Sequence, residues 1–271
     1  MQRNTIALVA LAVAAIPSLT SHAATYSIGF AWDWRVDFGT PTSEANMPPN
    51  PNSDARSRAL AANAGLSTGA VVSDVWAYGR STYSKVSGVT FAAGDFTAYT
   101  NIGIYPSNED CRWDANVMHG DRIGYCAAWI PTRADGHYIH PADSSFTNPP
   151  VAAVIRWTYP GDTTIDLHID GNVIRWDTKQ EGQDGVDFYI FKNSGADRLD
   201  YATLGFGGIH NVDLTTGISP GDTLYLALGY LSNSTSDGTG VALTFEVIPE
   251  PATLGLLALG LPLLPKHKRR L

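Results

Sequence analysis

Glutamate is nearly missing from the middle of this chain. Between residues 24 and 248 it occurs only at Glu44, Glu109, Glu181 and Glu246, so the acidic charge rests almost entirely on aspartate. Aspartate suits turns and cation ligation better than helix interiors. Cations are scarcer than anions, 18 Lys and Arg against 26 Asp and Glu. A nucleic-acid-binding chain needs basic patches, so no nucleic acid partner is expected. There is no Gly-x-Ser-x-Gly, no phosphate-loop Gly-x-x-x-x-Gly-Lys and no His-Glu-x-x-His. The common nucleophile, nucleotide and zinc-hydrolase signatures are therefore absent. No segment recurs at a fixed period, which argues against a propeller or a β-helix. No apolar run reaches the roughly 20 residues that a full helical crossing of a bilayer needs.

Two shorter apolar runs lie at the ends. At the start, Arg3 gives a small positive region, Thr5 to Ile16 is apolar and Ala-rich, and Ser21-His22-Ala23 sets small residues before a break. That is the pattern of a secretory signal peptide, residues 1–23, cut by signal peptidase after Ala23. At the other end stand Pro249, Glu250 and Pro251, then a 14-residue apolar run from Ala252 to Pro265, then Lys266, His267, Lys268, Arg269 and Arg270. The run would extend about 21 Å as a helix, marginal for a crossing. The terminal cations fit the cytoplasmic side of a membrane. Pro249 and Pro251 favour an extended segment that a protease can grip.

In this order residues 249–271 resemble the PEP-CTERM sorting tail of Gram-negative bacteria. The resemblance implies recognition by an exosortase, cleavage at or near the triplet, and transient anchoring in the inner membrane through the C-terminal hydrophobic helix. An export signal and a sorting tail belong together, because an exosortase substrate must already have crossed the inner membrane. The destination implied is the cell envelope, outer surface or extracellular matrix.

Five of the 18 cations and one of the 26 acids lie in these two ends, which leaves 13 against 25 in the body, a net charge of −12. The body divides into residues 24–69 and 70–248. In the first part, Tyr26 to Phe38 alternates with Ile28, Phe30, Trp32, Trp34, Val36 and Phe38 on one side, the pattern of a half-buried strand whose Trp32 and Trp34 face the core or else form a sugar-stacking platform. A Pro-rich loop follows, and Asp54 caps one short helix over 55–63 that Gly65 ends. From Val71 onward the chain reads as strands and turns: 71–78, 89–92, 96–105, 151–159, 163–169, 186–192, 199–206, 223–230 and 241–247. Gly-Asp or Asp-Gly turn signals stand at 93–95, 160–162, 170–172 and 220–222. Many short strands with few helices predict an all-β, antiparallel β-sandwich.

A second resemblance covers residues 70–248. Val75-Trp76-Ala77-Tyr78-Gly79, His140-Pro141, residues 153–160, Asp184 to Phe188, Pro220-Gly221-Asp222 and Val241-Ala242-Leu243 occur in an order similar to jelly-roll modules of the galactose-binding-like superfamily. That likeness implies a jelly-roll-like sandwich, carbohydrate-binding or purely structural.

Several residues are candidates for chemistry. In an exported protein Cys111 and Cys126 are expected to pair. Their bridge would close a loop of about 15 residues and stabilise by roughly 3 kcal/mol on a chain-entropy basis. Trp113 and Trp129, near that loop, are the candidate sugar-stacking aromatics. Asp177, Glu181, Asp184 and Asp187 crowd a Gly-containing stretch whose oxygens suit a structural Ca²⁺, or else form a solvated acidic loop. His119, His137 and His140 read as solvated or structural histidines. The expectation is an exported, exosortase-processed, non-catalytic β-sandwich that contacts exopolysaccharide. The alternative is a polysaccharide hydrolase using paired acidic residues.

Overall fold

The structure is a computed structural model, and it describes residues 30–39, 75–84, 88–89, 95–105, 110–114, 120–126, 137–143, 149–175, 184–234 and 237–248. The signal segment, the predicted helix over 55–63 and the sorting tail lie outside these residues. Among the described residues no helix is long and apolar enough to cross a membrane.

The described chain is all-β with one short helix. Its elements are β1 (Ala31–Asp33), α1 (Trp34–Phe38), β2 (Trp76–Ser84), β3 (Gly88–Val89), β4 (Thr97–Ala98), β5 (Asn101–Tyr105), β6 (Asp110–Asp114), β7 (Arg122–Cys126) and β8 (His137–His140). They continue with β9 (Val151–Thr158), β10 (Ile165–Arg175), β11 (Val186–Lys192), β12 (Arg198–Leu204), β13 (Ile209–Ile218), β14 (Thr223–Tyr230) and β15 (Thr239–Ile248). Two antiparallel sheets result. The first runs β13-β10-β15-β8-β7-β6-β5, with β1 also on β15; the second runs β12-β11-β14-β9-β2-β3, with β4 also on β2.

The predicted sandwich is therefore present. Its core lies between the sheets, where Leu167, Ile169, Leu243 and Phe245 of the first meet Ile155, Trp157, Phe188, Ile190 and Leu226 of the second. These side chains are 0% exposed. Trp157 packs edge-on against Phe245 at 5.2 Å and against Trp32 at 5.2 Å. Burial of such large apolar groups is the main force that joins the layers.

The outer faces differ. On the first sheet, Asp166, His168 and Asp170 of β10, Asn211, Asp213 and Thr215 of β13, and Glu246 of β15 alternate with the core residues and meet solvent. On the second sheet, Ala152, Val154, Tyr189, Phe191, Tyr225 and Ala227 form another buried cluster, with Phe96 packed on it. Strands buried on both faces read as near-continuous apolar runs, and 223–230 and, apart from Asp187 and Lys192, 186–192 do.

Three expectations are corrected. The strand over 26–38 stops at Asp33. The Asp33 carboxylate accepts the Arg35 N–H at 2.9 Å as an N-cap, and Gly39, at φ 69°, closes the turn by donating to the Arg35 carbonyl at 2.9 Å. Trp32 and Trp34 are still buried, but the helical turn swings Val36 outward to 76% exposure. The Asp170-Gly171-Asn172 turn does not form. β10 runs straight through it between β13 and β15, with Gly171 at φ 138° and so close to its neighbour that a Cβ would stand 1.9 Å from the Ala242 carbonyl oxygen. Only glycine fits there. The strand over 96–105 is two, with β4 in the second sheet and β5 in the first.

The Pro220-Gly221-Asp222 turn does form. Asp222 N–H donates to the Ser219 carbonyl at 2.9 Å, and Ser219 N–H donates to the Asp222 carboxylate at 2.8 Å.

Strand register defines two ends of the sandwich. Ile248, Ile165, Ile218 and Thr223 lie at one, from which the tail departs. Arg175, Thr239, Ile209, Leu204 and Val186 lie at the other, the far end.

Candidate functional site

Two arrangements carry chemistry, and both lie toward the far end. The first is on the outer face of the second sheet. In the register of β11 and β12, Asp187 stands opposite Thr203 and Tyr189 opposite Tyr201. Side chains directly opposite in an antiparallel pair share a face. Thr203 Oγ1 donates to Asp187 Oδ1 at 2.6 Å, Tyr201 OH donates to the same oxygen at 3.2 Å, and Tyr189 OH donates to Asp187 Oδ2 at 3.4 Å. The Tyr201 and Thr203 hydroxyls are 2.6 Å apart.

Asp187 is buried, while Tyr201 is 41% exposed and Thr203 and Arg198 are open to solvent. The Arg198 guanidinium lies 5.1 Å from the Tyr201 ring centre. Behind them Tyr189 stacks on Phe191 at 5.4 Å. Burial, then the Asp187 charge, pushes the Tyr189 phenol well above its ordinary value. It therefore stays a neutral hydrogen-bond donor. The result is an exposed ring beside hydroxyls fixed by a carboxylate and a guanidinium. Polyhydroxylated ligands are held by this combination of apolar surface and placed polar groups.

The second arrangement is a set of buried charges inside the far end. Arg175 and Asp237, both fully buried, pair at 3.1 Å. The Asp143 carboxylate accepts the Ser234 N–H at 2.6 Å. Arg112 and Asp114 pair at 3.5 Å on β6, a fit that depends on Gly103, whose added Cβ would lie 2.9 Å from Asp114 Oδ2. Arg80 of the second sheet reaches Asp121 at 3.7 Å. Asp121 is 0% exposed. Burial raises its carboxyl, and Asp114 adds to the rise, while the Arg80 charge and a Tyr99 hydrogen bond oppose it. A carboxyl that is raised beside a paired one is the usual sign of acid–base work. Asp121 is fully enclosed, so this set lies inside the far end.

Of the residues expected to act together, only Asp184 and Asp187 are described with their side chains. Trp113 lies on β6 opposite Ile102 and Ile123, both of which pack in or against the core. Its side chain is outside the described residues, and Trp129 is wholly outside them. Cys111 pairs in register with Tyr125 and Cys126 with Asp110, so the two cysteine positions are neighbours one register step apart; their side chains are outside the described residues. In the acidic stretch, Asp177 and Glu181 are outside the described residues. Asp184 precedes β11 with its Oδ1 buried, and Asp187 is occupied by hydroxyls. Among the described residues no three His, Cys, Asp or Glu side chains group to hold a metal.

His137 and His140 are buried and bonded to the Gly39 and Pro141 carbonyls at 2.6 and 2.7 Å. The structural reading of both is met. Pro249, Glu250 and Pro251, and Lys266, Lys268, Arg269 and Arg270, lie outside the described residues. Sequence reading missed Tyr189, Tyr201 and Thr203. Its one signal was the i, i+2 spacing of Asp187 with Tyr189 and of Tyr201 with Thr203, which puts each pair on one face of its strand.

The fold and these geometries define an antiparallel two-sheet β-sandwich. The chain matches no protein-family model and no curated protein sequence. Among solved structures it is similar to the C-terminal CBM6 of LamC, a marine laminarinase from Zobellia galactanivorans. The match has 13% identity and a TM-score of 0.25, over 41% of this chain and 80% of that one.

Proposed function

We propose that this is an exported, tail-sorted β-sandwich protein of the cell envelope or extracellular matrix that contacts exopolysaccharide at the β11–β12 face without cleaving it. The observation that carries the ligand class is the Asp187 carboxylate holding the Tyr201 and Thr203 hydroxyls beside an exposed ring. The order of export signal, body, Pro-Glu-Pro triplet, apolar run and cations supports processing by signal peptidase and an exosortase. Two described carboxyls are raised by burial, Asp121, which is fully enclosed, and Asp37, whose carboxylate is occupied by the Trp76 indole N–H, and these placements support the binding reading over the hydrolase.

A structural Ca²⁺ would draw on Asp177, Glu181 and Asp184, whose buried oxygen supports the reading. Asp187 is withdrawn from that set by its hydroxyl partners. A lower melting temperature in EDTA would support the ion, and an unchanged one would remove it. A Cys111–Cys126 bridge would need β6 and β7 to slip from the register described, and the intact mass without reductant decides it.

The experiment for function is a glycan array with a parallel reducing-sugar assay on the purified protein. Retention of an acidic or neutral polysaccharide with no new reducing ends is expected. Release of product would favour the hydrolase.

A further inference from the structure

β12 carries one irregularity. Ile190 of β11 pairs with Asp200 and Phe191 with Arg198, so Leu199 is an extra residue with no partner in the ladder. An extra residue of this kind, a β-bulge, reverses the alternation of side chains along its strand. Counting back by twos from Thr203 and Tyr201 would put Leu199 on the outer face. With the bulge, Leu199 packs against the core and Arg198 takes the outer place, opposite Phe191 of the outer cluster. The Arg198 guanidinium is thereby set 5.1 Å from the Tyr201 ring centre. Among the described residues it makes no ion pair, although acids outnumber cations in this chain by 26 to 18. The nearby Asp200 turns away to His210 at 2.7 Å.

The hydroxyls beside Arg198 have a fixed polarity. Thr203 and Tyr201 hold one O–H proton each. Their partners are Asp187 Oδ1, at 2.6 and 3.2 Å, and each other, at 2.6 Å. Each arrangement that satisfies the buried carboxylate keeps both protons inside this triangle. The Tyr189 proton goes to Asp187 Oδ2 at 3.4 Å. The exposed sides of Tyr201 and Thr203 therefore offer lone pairs, whereas Arg198 offers only donors.

We propose that the β11–β12 face selects an acidic polysaccharide. Sugar hydroxyls donate to Tyr201 and Thr203, and an anionic substituent, a uronate carboxylate or a sulfate ester, accepts from Arg198. This rests on the reading of that face as a sugar site and names the class of sugar it takes. A guanidinium meets such an oxyanion through two parallel N–H bonds, which a neutral hydroxymethyl group in the same place cannot match.

Binding of the full chain to two pairs of immobilised polymers tests the proposal: polygalacturonate against its carboxyl-reduced form, and dextran sulfate against dextran. The parent should bind the charged member of at least one pair about tenfold more tightly than the neutral member, and the pair that shows the preference names the anion. Arg198→Gln should bring that ratio to about one, and Arg198→Lys, which keeps the charge without the fork, should keep only part of it. Arg198 is exposed, so both variants should melt with the parent. Equal affinity within both pairs, or a preference unchanged in Arg198→Gln, overturns the proposal and leaves sugar binding standing. Retention of none of the four polymers overturns it as well, and the glycan array then decides whether the sugar site itself stands.

Discussion

His210 Nε2 and Asp200 Oδ2 lie 2.7 Å apart, and the two residues belong to different sheets. Among the described residues β12 is the edge of the second sheet and β13 the edge of the first, so the pair fastens the two sheets at that side. Each side chain is about three-quarters buried, at 24% and 22% exposure, and the His210 ring stands 6.4 Å from Phe188 of the core. A partly screened pair of this kind contributes about 0.5–1 kcal/mol. His210→Ala and Asp200→Ala should each lower stability by about that amount, and the double variant by less than the two together. Urea midpoints of the three variants measure it, and strict additivity would show that the contact is energetically idle.

The Arg175–Asp237 pair is another matter, because both side chains are fully buried. Asp237→Ala strands a guanidinium in the interior and should cost about 3–5 kcal/mol. Replacing both, with Arg175→Met and Asp237→Leu, should restore most of that loss, since a buried ion pair is often no better than apolar packing of the same volume. Denaturant unfolding of the single and double variants compares them. A double variant as unstable as the single one would show that the charges themselves hold Asp237 in place.

Asp121 gives a pH dependence of definite sign. Its folded carboxyl sits above the ordinary value of 3.8, chiefly through burial. The folded state therefore holds its proton to higher pH than the unfolded state, and this group's contribution to stability declines as pH rises from 3.8 through the raised value. Asp121→Asn should be more stable than the parent at pH 7, with the gain shrinking as pH falls toward 4. Asp222 works in the opposite sense. Burial alone would raise it, but bonds from Ser219, Asn193 and Lys192 hold it below 3.8, so its contribution is present above 3.8 and is lost as pH falls further. Melting temperatures of the parent, Asp121→Asn and Asp222→Asn between pH 3 and pH 8 separate the two. A parent-like pH profile for Asp121→Asn would refute the assignment.

Legibility in the sequence followed the local chemistry of each strand. The strands over 186–192 and 223–230 were read to the residue, because both faces are buried and the runs, Asp187 and Lys192 apart, stay largely apolar between turn signals. β6, β7 and β8 were missed, because Asp110, Arg112, Asp114, Arg122, His137 and His140 look like loop residues when nothing shows that several are paired or bonded in the interior. β13 was missed for a different reason. Its outward Asn211, Asp213 and Thr215 and its Gly217 are turn-like in composition, and only pairing along β10 makes them a strand. At the candidate site, Asp187 and Thr203 are 16 residues apart and meet only through register. No local pattern reports a register, so the spacing of each pair was visible and their meeting was not.

The most direct measurement is glycan binding by the parent protein beside Tyr201→Ala and Thr203→Val. Tyr201 is an edge residue with 41% exposure, so its loss should leave the melting temperature within a few degrees of the parent. The expected result is retention of a polysaccharide by the parent and at least a tenfold weaker affinity in Tyr201→Ala, about 1.4 kcal/mol, with a smaller loss in Thr203→Val. Equal affinity in all three folded proteins, or no glycan retained by the parent, would contradict a carbohydrate site on the β11–β12 face.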